Sequence, residues 1–282
     1  MKRIGSGFSL LTKFENLFIN DSMKRINIKE FHETKYCPGV WRDLMTDFLS
    51  VFTYNANPYK IIFPFLKNAI SRSGSRKIID FGSGGGTYML KLLQEIDPNS
   101  ESYTAELTDK FPNKQCFQRI ETLSGGRIKY NRESVDLLEG GKPQGFWTFF
   151  STAHHFNKKE LKTLLETAVK QKCGIGIFEY SSREILQIVL PSLMVPFLVL
   201  AVTPLITPFS WRRLFWTYIL PVVPTLVMVD GFISHMKSYS VAELEKIASE
   251  TASLDYHFEC GRKRIFLKTC PITYLTGYPI NK

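Results

Sequence analysis

The sequence has no Cys-x-x-Cys pair and no histidine at zinc-ligand spacing; its cysteines, Cys37, Cys116, Cys173, Cys260 and Cys270, are odd in number and far apart. This excludes the common zinc modules and a disulfide framework, so a reduced, metal-free chain in the cytoplasm is expected. A secretory leader is not expected either. The start Met1-Lys2-Arg3 is basic, but Lys13, Glu15 and Asn16 break the apolar run behind it. Blocks of like charge are also missing. Lysine and arginine number 36 against 26 acids, a formal net charge of +10, yet they are scattered and do not interleave with aromatics. That pattern speaks against nucleic acid as a partner, while the overall sign still favours anionic surfaces such as an acidic membrane. No internal repeat or low-complexity tract is present.

What is present divides into three textures. Residues 1–70 read as a helical N-terminal extension: Phe8, Leu10, Leu11, Phe14, Leu17 and Phe18 recur at helical spacing, and two further stretches, about 41–52 and 59–70, carry repeating apolar faces. Ser71-Arg72-Ser73-Gly74-Ser75 reads as a linker. From there to residue 282 strands and helices alternate. Strands are expected at 77–81, 102–108, 126–131, 145–151 and 174–179, with helices at 87–95 and 158–169 between them. Alternation of this kind predicts a doubly wound α/β fold, a mostly parallel sheet with helices on both faces. Ser240-Val241-Ala242-Glu243 is a capping box that opens a helix to about Thr251. Residues 254–260 and 265–274, flanking Gly261-Arg262-Lys263-Arg264, look like a closing antiparallel hairpin.

The first expected strand ends in Asp80-Phe81 and turns through Gly82-Ser83-Gly84-Gly85-Gly86 into a helix. Glycines there let backbone approach a ligand closely. The dinucleotide fingerprint Gly-x-Gly-x-x-Gly requires Gly or Ala at position 87, where this chain has Thr87, and the Gly-Lys-Ser/Thr ending of a phosphate loop is absent. A nicotinamide oxidoreductase is thereby disfavoured. The spacing acid-x-Gly-x-Gly-x-Gly resembles the first motif of the Rossmann-like, class I S-adenosylmethionine-dependent methyltransferases.

That resemblance implies a seven-stranded sheet and S-adenosylmethionine as cofactor. It also implies an acid on the ribose hydroxyls, for which Asp109 at the second strand tip is preferred over Glu106, and an acid near the adenine amino group, matched by Asp136 in Ser134-Val135-Asp136. Cofactor contacts are expected from Asp80, Phe81, Gly82, Ser83, Gly84, Gly86, Asp109, Val135, Asp136 and Ser151. A narrower resemblance, to a group of uncharacterised bacterial-type methyltransferases, rests on Arg42-Asp43-Leu44-Met45-Thr46-Asp47, Leu107-Thr108-Asp109-Lys110-Phe111-Pro112-Asn113, Ala153-His154-His155-Phe156, Asp230-Gly231-Phe232-Ile233-Ser234 and Ile272-Thr273-Tyr274-Leu275-Thr276-Gly277. It supplies no substrate.

Methyl transfer from a sulfonium asks chiefly for proximity and alignment, worth roughly 7 to 11 kcal/mol of the barrier. A base is needed only for some acceptors. His154 and His155 follow the fourth strand at the ligand-binding edge of such sheets, and Glu179 ends the fifth. Each is a candidate for proton transfer or acceptor binding, and each is equally suited to capping or core hydrogen bonding.

Charge is scarcest at 185–229, where only Arg212 and Arg213 carry any. Residues 185–209 are long enough to span a bilayer, but Pro191, Pro196, Pro204 and Pro208 predict a poor continuous helix; residues 214–229 are short for a span and contain Pro221 and Pro224. This apolar insertion reads as a shallow membrane hairpin or as a soluble lid over the acceptor pocket. Either points to a methyltransferase acting on an O or N atom of a small, hydrophobic or lipid-like acceptor. The alternative is a non-catalytic or degenerate cofactor-binding protein at a membrane surface.

Overall fold

The computed structural model describes residues 23–98, 102–136, 143–264 and 271–280. The amphipathic stretch 8–18 lies outside these residues. Among them runs one seven-stranded sheet of order β3-β2-β1-β4-β5-β7-β6. Its strands are β1 (Lys77–Phe81), β2 (Thr104–Thr108), β3 (Ile128–Tyr130), β4 (Phe146–Phe150), β5 (Ile175–Glu179), β6 (Tyr256–Arg264) and β7 (Pro271–Pro279). The first five are mutually parallel; β7 inserts antiparallel between β5 and β6.

Burial on both faces explains why the central strands are apolar throughout. Alternate side chains of each strand feed separate layers. Ile78, Phe146, Phe150 and Phe178 pack beneath helices α2 (Phe63–Ser73), α3 (Thr87–Ile96) and α4 (Lys114–Leu123), against Leu66, Ile70, Met89, Leu92 and Phe117. Ile79, Phe81, Trp147, Phe149 and Ile177 point to the other side, against Leu161 and Leu165 of α5 (Lys158–Gln171) and Leu244 of α9 (Val241–Thr251). The Ser240–Glu243 capping box opens α9 with both reciprocal bonds made.

A third apolar cluster lies apart from these two. Leu44, Met45 and Phe48 of α1 (Gly39–Ala56) meet Val199 of α6 (Ile185–Val202), Ile206, and Val223 and Val227 of α8 (Val222–Lys237). Between α6 and α8 the chain passes through a 3-10 turn (Thr203–Leu205), a four-residue helix α7 (Trp211–Leu214) and a π-turn (Phe215–Ile219).

Two local expectations are corrected, and one helix is added. Residues 185–202 form one continuous helix despite Pro191 and Pro196. Each proline removes a single helix bond, the Ser192 hydroxyl adds one to the Ile188 carbonyl at 2.6 Å, and the break is deferred to Pro204 and Pro208. Gly261 to Arg264 is strand rather than turn, because Arg262 and Arg264 reach the buried Glu184 carboxylate at 2.7 Å each and hold β6 extended. Residues 265–270, where the hairpin reverses, are outside the described set. Helix α4 is missing from the sequence reading; it buries only Phe117 and Ile120, too few for a periodic signal.

Candidate active site

The order of strands reverses beside β1, with β2 on one side and β4 on the other, which opens a crevice at the strands' carboxyl ends. Gly82, Gly84 and Gly86 there have φ of 64°, 54° and 65°, a region that side-chain-bearing residues rarely adopt. Ser83 staples the loop to β2. Its amide donates to the Thr108 carbonyl at 3.0 Å, and its hydroxyl accepts from the Thr108 amide at 3.1 Å and donates to the Asp80 carbonyl at 2.9 Å.

A cavity of about 780 Å³ runs over this loop, within the range of small-molecule sites. Gly82, Ser83, Gly84, Gly86, Asp109, Val135, Asp136 and Ser151 all line it. A Cβ on Gly84 would meet nothing within 4 Å, so backbone lies open to a ligand. Asp109 sits where β2 ends and accepts from the Gly84 and Phe111 amides, both at 2.8 Å. Glu106, its competitor, pairs instead with Lys77 at 2.7 Å. Asp136 pairs with Lys110 at 2.7 Å. Ser151, at φ 45°, holds the Tyr59 hydroxyl at 2.8 Å.

Asp80 and Phe81 are set behind the loop, away from the cavity lining. The Asp80 carboxylate is wholly buried and accepts from Thr148 at 2.7 Å and from the Tyr88 hydroxyl. Burial pushes its carboxyl up to about 6, against the lowering by these hydrogen bonds. Phe81 stacks on Phe149. Both therefore brace the turn from within the core.

The other end of the cavity holds an ionic cluster. His154, following β4, places Nδ1 2.7 Å from Glu179 Oε2 and its amide 3.2 Å from Glu179 Oε1. Its Nε2 lies 3.4 Å from Glu30 Oε1. Glu179 is entirely buried beneath it. Burial disfavours the imidazolium, yet Glu179 and then Glu30 outweigh it and push His154 up to about 9. His155 behaves oppositely: burial and the neighbouring His154 charge lower it, against Glu33, whose Oε1 is 2.8 Å from Nδ1. Lys237, from the end of α8, lies 3.2 Å from Glu30 Oε1 and 3.0 Å from Glu33 Oε2. Glu30, His154 and His155 keep ligand-type atoms within 4.8 Å of one another. Lys237 Nζ, 3.3 Å from His155 Nδ1, supplies positive charge at that place.

Glu30 and Glu33 belong to a segment laid across the cavity, 23–38, whose fixtures are non-local. Arg25 donates to the carbonyls of Lys237, His154 and Phe156 and covers the Tyr239 ring. Asp230 of α8 accepts from the Phe31 and His32 amides at 2.7 and 3.0 Å. Arg42 of α1 ties the segment's carbonyls at His32, Thr34 and Cys37 and lies over Phe111.

No protein-family model matches the chain, and no curated protein matches it in sequence. Solved structures do. An O-methyltransferase family protein from Burkholderia thailandensis aligns over 96% of this chain and 68% of its own, at 13% identity and a TM-score of 0.50. A candidate O-methyltransferase from Nostoc punctiforme aligns over 95% and 68%, at 14% identity and a TM-score of 0.51. The fold is that of the Rossmann-like, class I S-adenosylmethionine-dependent methyltransferases.

Within the methyltransferase fold, sequence reasoning misses Glu30, Glu33, Lys237 and Tyr59, because no local pattern joins residues from distant elements. Arg42 and Asp230 do carry a signal, since each lies in a segment that resembles the bacterial-type group. Thr87, the departure from the dinucleotide pattern, has a structural use: its hydroxyl donates to the Ser50 carbonyl at 2.8 Å and pins α3 to α1.

Proposed function

We propose that the chain binds S-adenosylmethionine over its glycine loop and transfers the methyl group to an oxygen, or alternatively a nitrogen, of a small hydrophobic acceptor. One observation carries this reading: a single cavity joins the open Gly84 backbone, Asp109 and Asp136 to a histidine–glutamate cluster and an apolar wall from α6 and α8. The residues present fit the cofactor. Asp109 faces the cavity where a ribose diol would be held, and Asp136 with Val135 borders the place for an adenine. Ser151 and Tyr59 line the same cavity.

Bound there, the cofactor supplies an electrophilic methyl group on a sulfonium. The protein's part is to hold the acceptor in line and dry, the largest contribution open to a site of this kind. For a hydroxyl acceptor the proton must leave as the new O–CH3 bond forms. His155 suits that role better than His154. The Glu33 carboxylate, closer to Nδ1 at 2.8 Å than the Lys237 ammonium at 3.3 Å, favours the tautomer with the proton on Nδ1 and Nε2 as the basic atom, and burial beside a cationic His154 favours the neutral ring. His154, clamped by Glu179 and Glu30, has no free basic nitrogen and serves to position the pair.

Calorimetric titration with S-adenosylmethionine, with NADH as the comparison, tests the reading. Binding of the first alone, weakened in Asp109→Ala, is expected; because that carboxylate also fixes the Gly84 amide, a loss of about tenfold or more should follow. Failure of the intact protein to bind S-adenosylmethionine would refute it.

A further inference from the structure

The hairpin of α6 and α8 carries a feature that the cavity does not need. Helix α6 has no charged residue over its 18 positions, so apolar side chains surround it on every side. One side packs, through Val199, on the third apolar cluster. The opposite stripe, Leu186, Val189, Leu193 and Phe197, faces solvent, with Leu193 and Phe197 62% and 66% exposed. Such a stripe is unusual on a water-facing helix of about 27 Å. The turn beyond it continues the pattern: Phe209 and Trp211 are exposed and in edge contact, Arg212 is exposed beside them, and Arg119 of α4 donates to the Thr207 carbonyl at 2.7 Å. Aromatic and basic side chains together are the composition of a membrane–water boundary.

A single crossing is excluded by the sheet, and a double one by the packing of α6 and α8, through Val199, Val223 and Val227, on the charged helix α1. Helix α6 leaves from β5, and the chain returns through α8 to β6 and β7, with β7 hydrogen-bonded to β5. The end of α8 is moreover fixed in the ionic cluster by Asp230 and Lys237. We infer that the hairpin lies in the plane of an anionic lipid bilayer, with the Leu193–Phe197 stripe in the acyl boundary and Arg212 and Arg119 at the phosphates. Charge selects this occupant over a second copy of the chain. No acid occurs between Ile185 and Val229, and the protein carries +10, which suits a negative surface and opposes self-association.

The placement also says how an acceptor arrives. Leu190 and Met194 line the cavity and are themselves 47% and 52% exposed, so the mouth opens onto the docking stripe. An amphiphile dissolved in the bilayer can slide its polar head toward His155 while its tail remains among α6 side chains. This second point rests on the methyl-transfer reading; the docking does not.

Flotation of the full-length protein with phosphatidylcholine vesicles, with and without phosphatidylglycerol, tests the docking. Recovery with the anionic vesicles is expected, falling about tenfold or more in Leu193→Glu/Phe197→Glu and weakening in Arg212→Glu. Neither Leu193 nor Phe197 touches the cavity, so the double variant should keep the wild-type thermal midpoint and whatever cofactor affinity the wild type has. No recovery of the wild type, or equal recovery of the folded double variant, would overturn the proposal. A stable dimer in light scattering that the double variant splits would overturn it too, by giving the stripe to a second copy. Vesicle binding without S-adenosylmethionine binding would leave docking standing and remove the methyl-transfer reading alone.

Discussion

Replacing Glu30 by glutamine should lower the basicity of His154 without abolishing its elevation. The rise from 6.5 to about 9 corresponds to roughly 3 kcal/mol of preference for the imidazolium, gained from two carboxylates against the opposing effect of burial. Glu179 approaches at 2.7 Å and Glu30 at 3.4 Å, so the larger share belongs to Glu179. In Glu30→Gln the His154 ring should therefore titrate lower than in the wild type yet still above 6.5. The assay is the pH dependence of the imidazole ¹³C and ¹⁵N shifts, tractable with five histidines in the chain and assigned by single substitution. His155 and His235 should titrate below the ordinary value, His235 at about 4 because it is buried. Linkage gives a second readout. A histidine whose folded value is raised stabilises fully below its unfolded value, so the wild type should lose His154's contribution, up to about 3 kcal/mol, as pH climbs from 6.5 through 9, whereas His154→Gln should not. A wild-type His154 titrating at or below 6.5, or one indifferent to Glu30→Gln, would refute the clamp and return His154 to the role of base.

Three further perturbations follow from contacts at the site. A Cβ at Gly85 would fall 1.5 Å from Ser50 Oγ, so Gly85→Ala should displace α1 and lower stability by about 1–3 kcal/mol, with Ser50→Gly in the same chain restoring much of the loss in urea melts. Lys237→Met leaves Glu30 and Glu33 facing each other without their shared cation and should cost about 3–5 kcal/mol; a variant as stable as wild type would show the cluster to be solvated. Thr148→Val removes one of the hydroxyls on the buried Asp80 carboxylate, so about 1–3 kcal/mol should be lost at neutral pH. That loss should shrink on acidification, because the protonated carboxyl needs the hydroxyl less.

The parts of the molecule legible in the sequence are those set by short-range chemistry. The glycine turn, the Ser240–Glu243 box and the aromatic run of β4 each announce themselves within a few residues. Asp109 is placed at the cavity by nothing more than its position at a strand tip. The inward turn of Asp80 is different: it depends on Tyr88 and Thr148 arriving from a helix and another strand. The ionic cluster is more remote still, since Glu30 and Lys237 are brought together by the whole sheet. His154 and Glu179 are both visible as strand-end candidates, but their direct hydrogen bond, which changes what His154 can do, is a property of the β4–β5 pairing. Pro191 and Pro196 mislead because local propensity reads two breaks where packing tolerates two missing hydrogen bonds.

The segment carrying Arg25 and Glu30 has a consequence for how the molecule comes into being. Arg25 and Glu30 are synthesised more than 200 positions before the Lys237 carbonyl and ammonium that receive them. At ribosomal rates this is a wait of roughly 10 to 40 seconds, during which the sheet through β5 can already assemble. The ionic cluster is thus finished after the glycine loop, and an incomplete chain would expose that loop with nothing opposite it. Contacts of such long sequence separation are slow to form, because the chain between them must close first. Glycine turn first and ionic cluster afterwards is the order of assembly built into the chain.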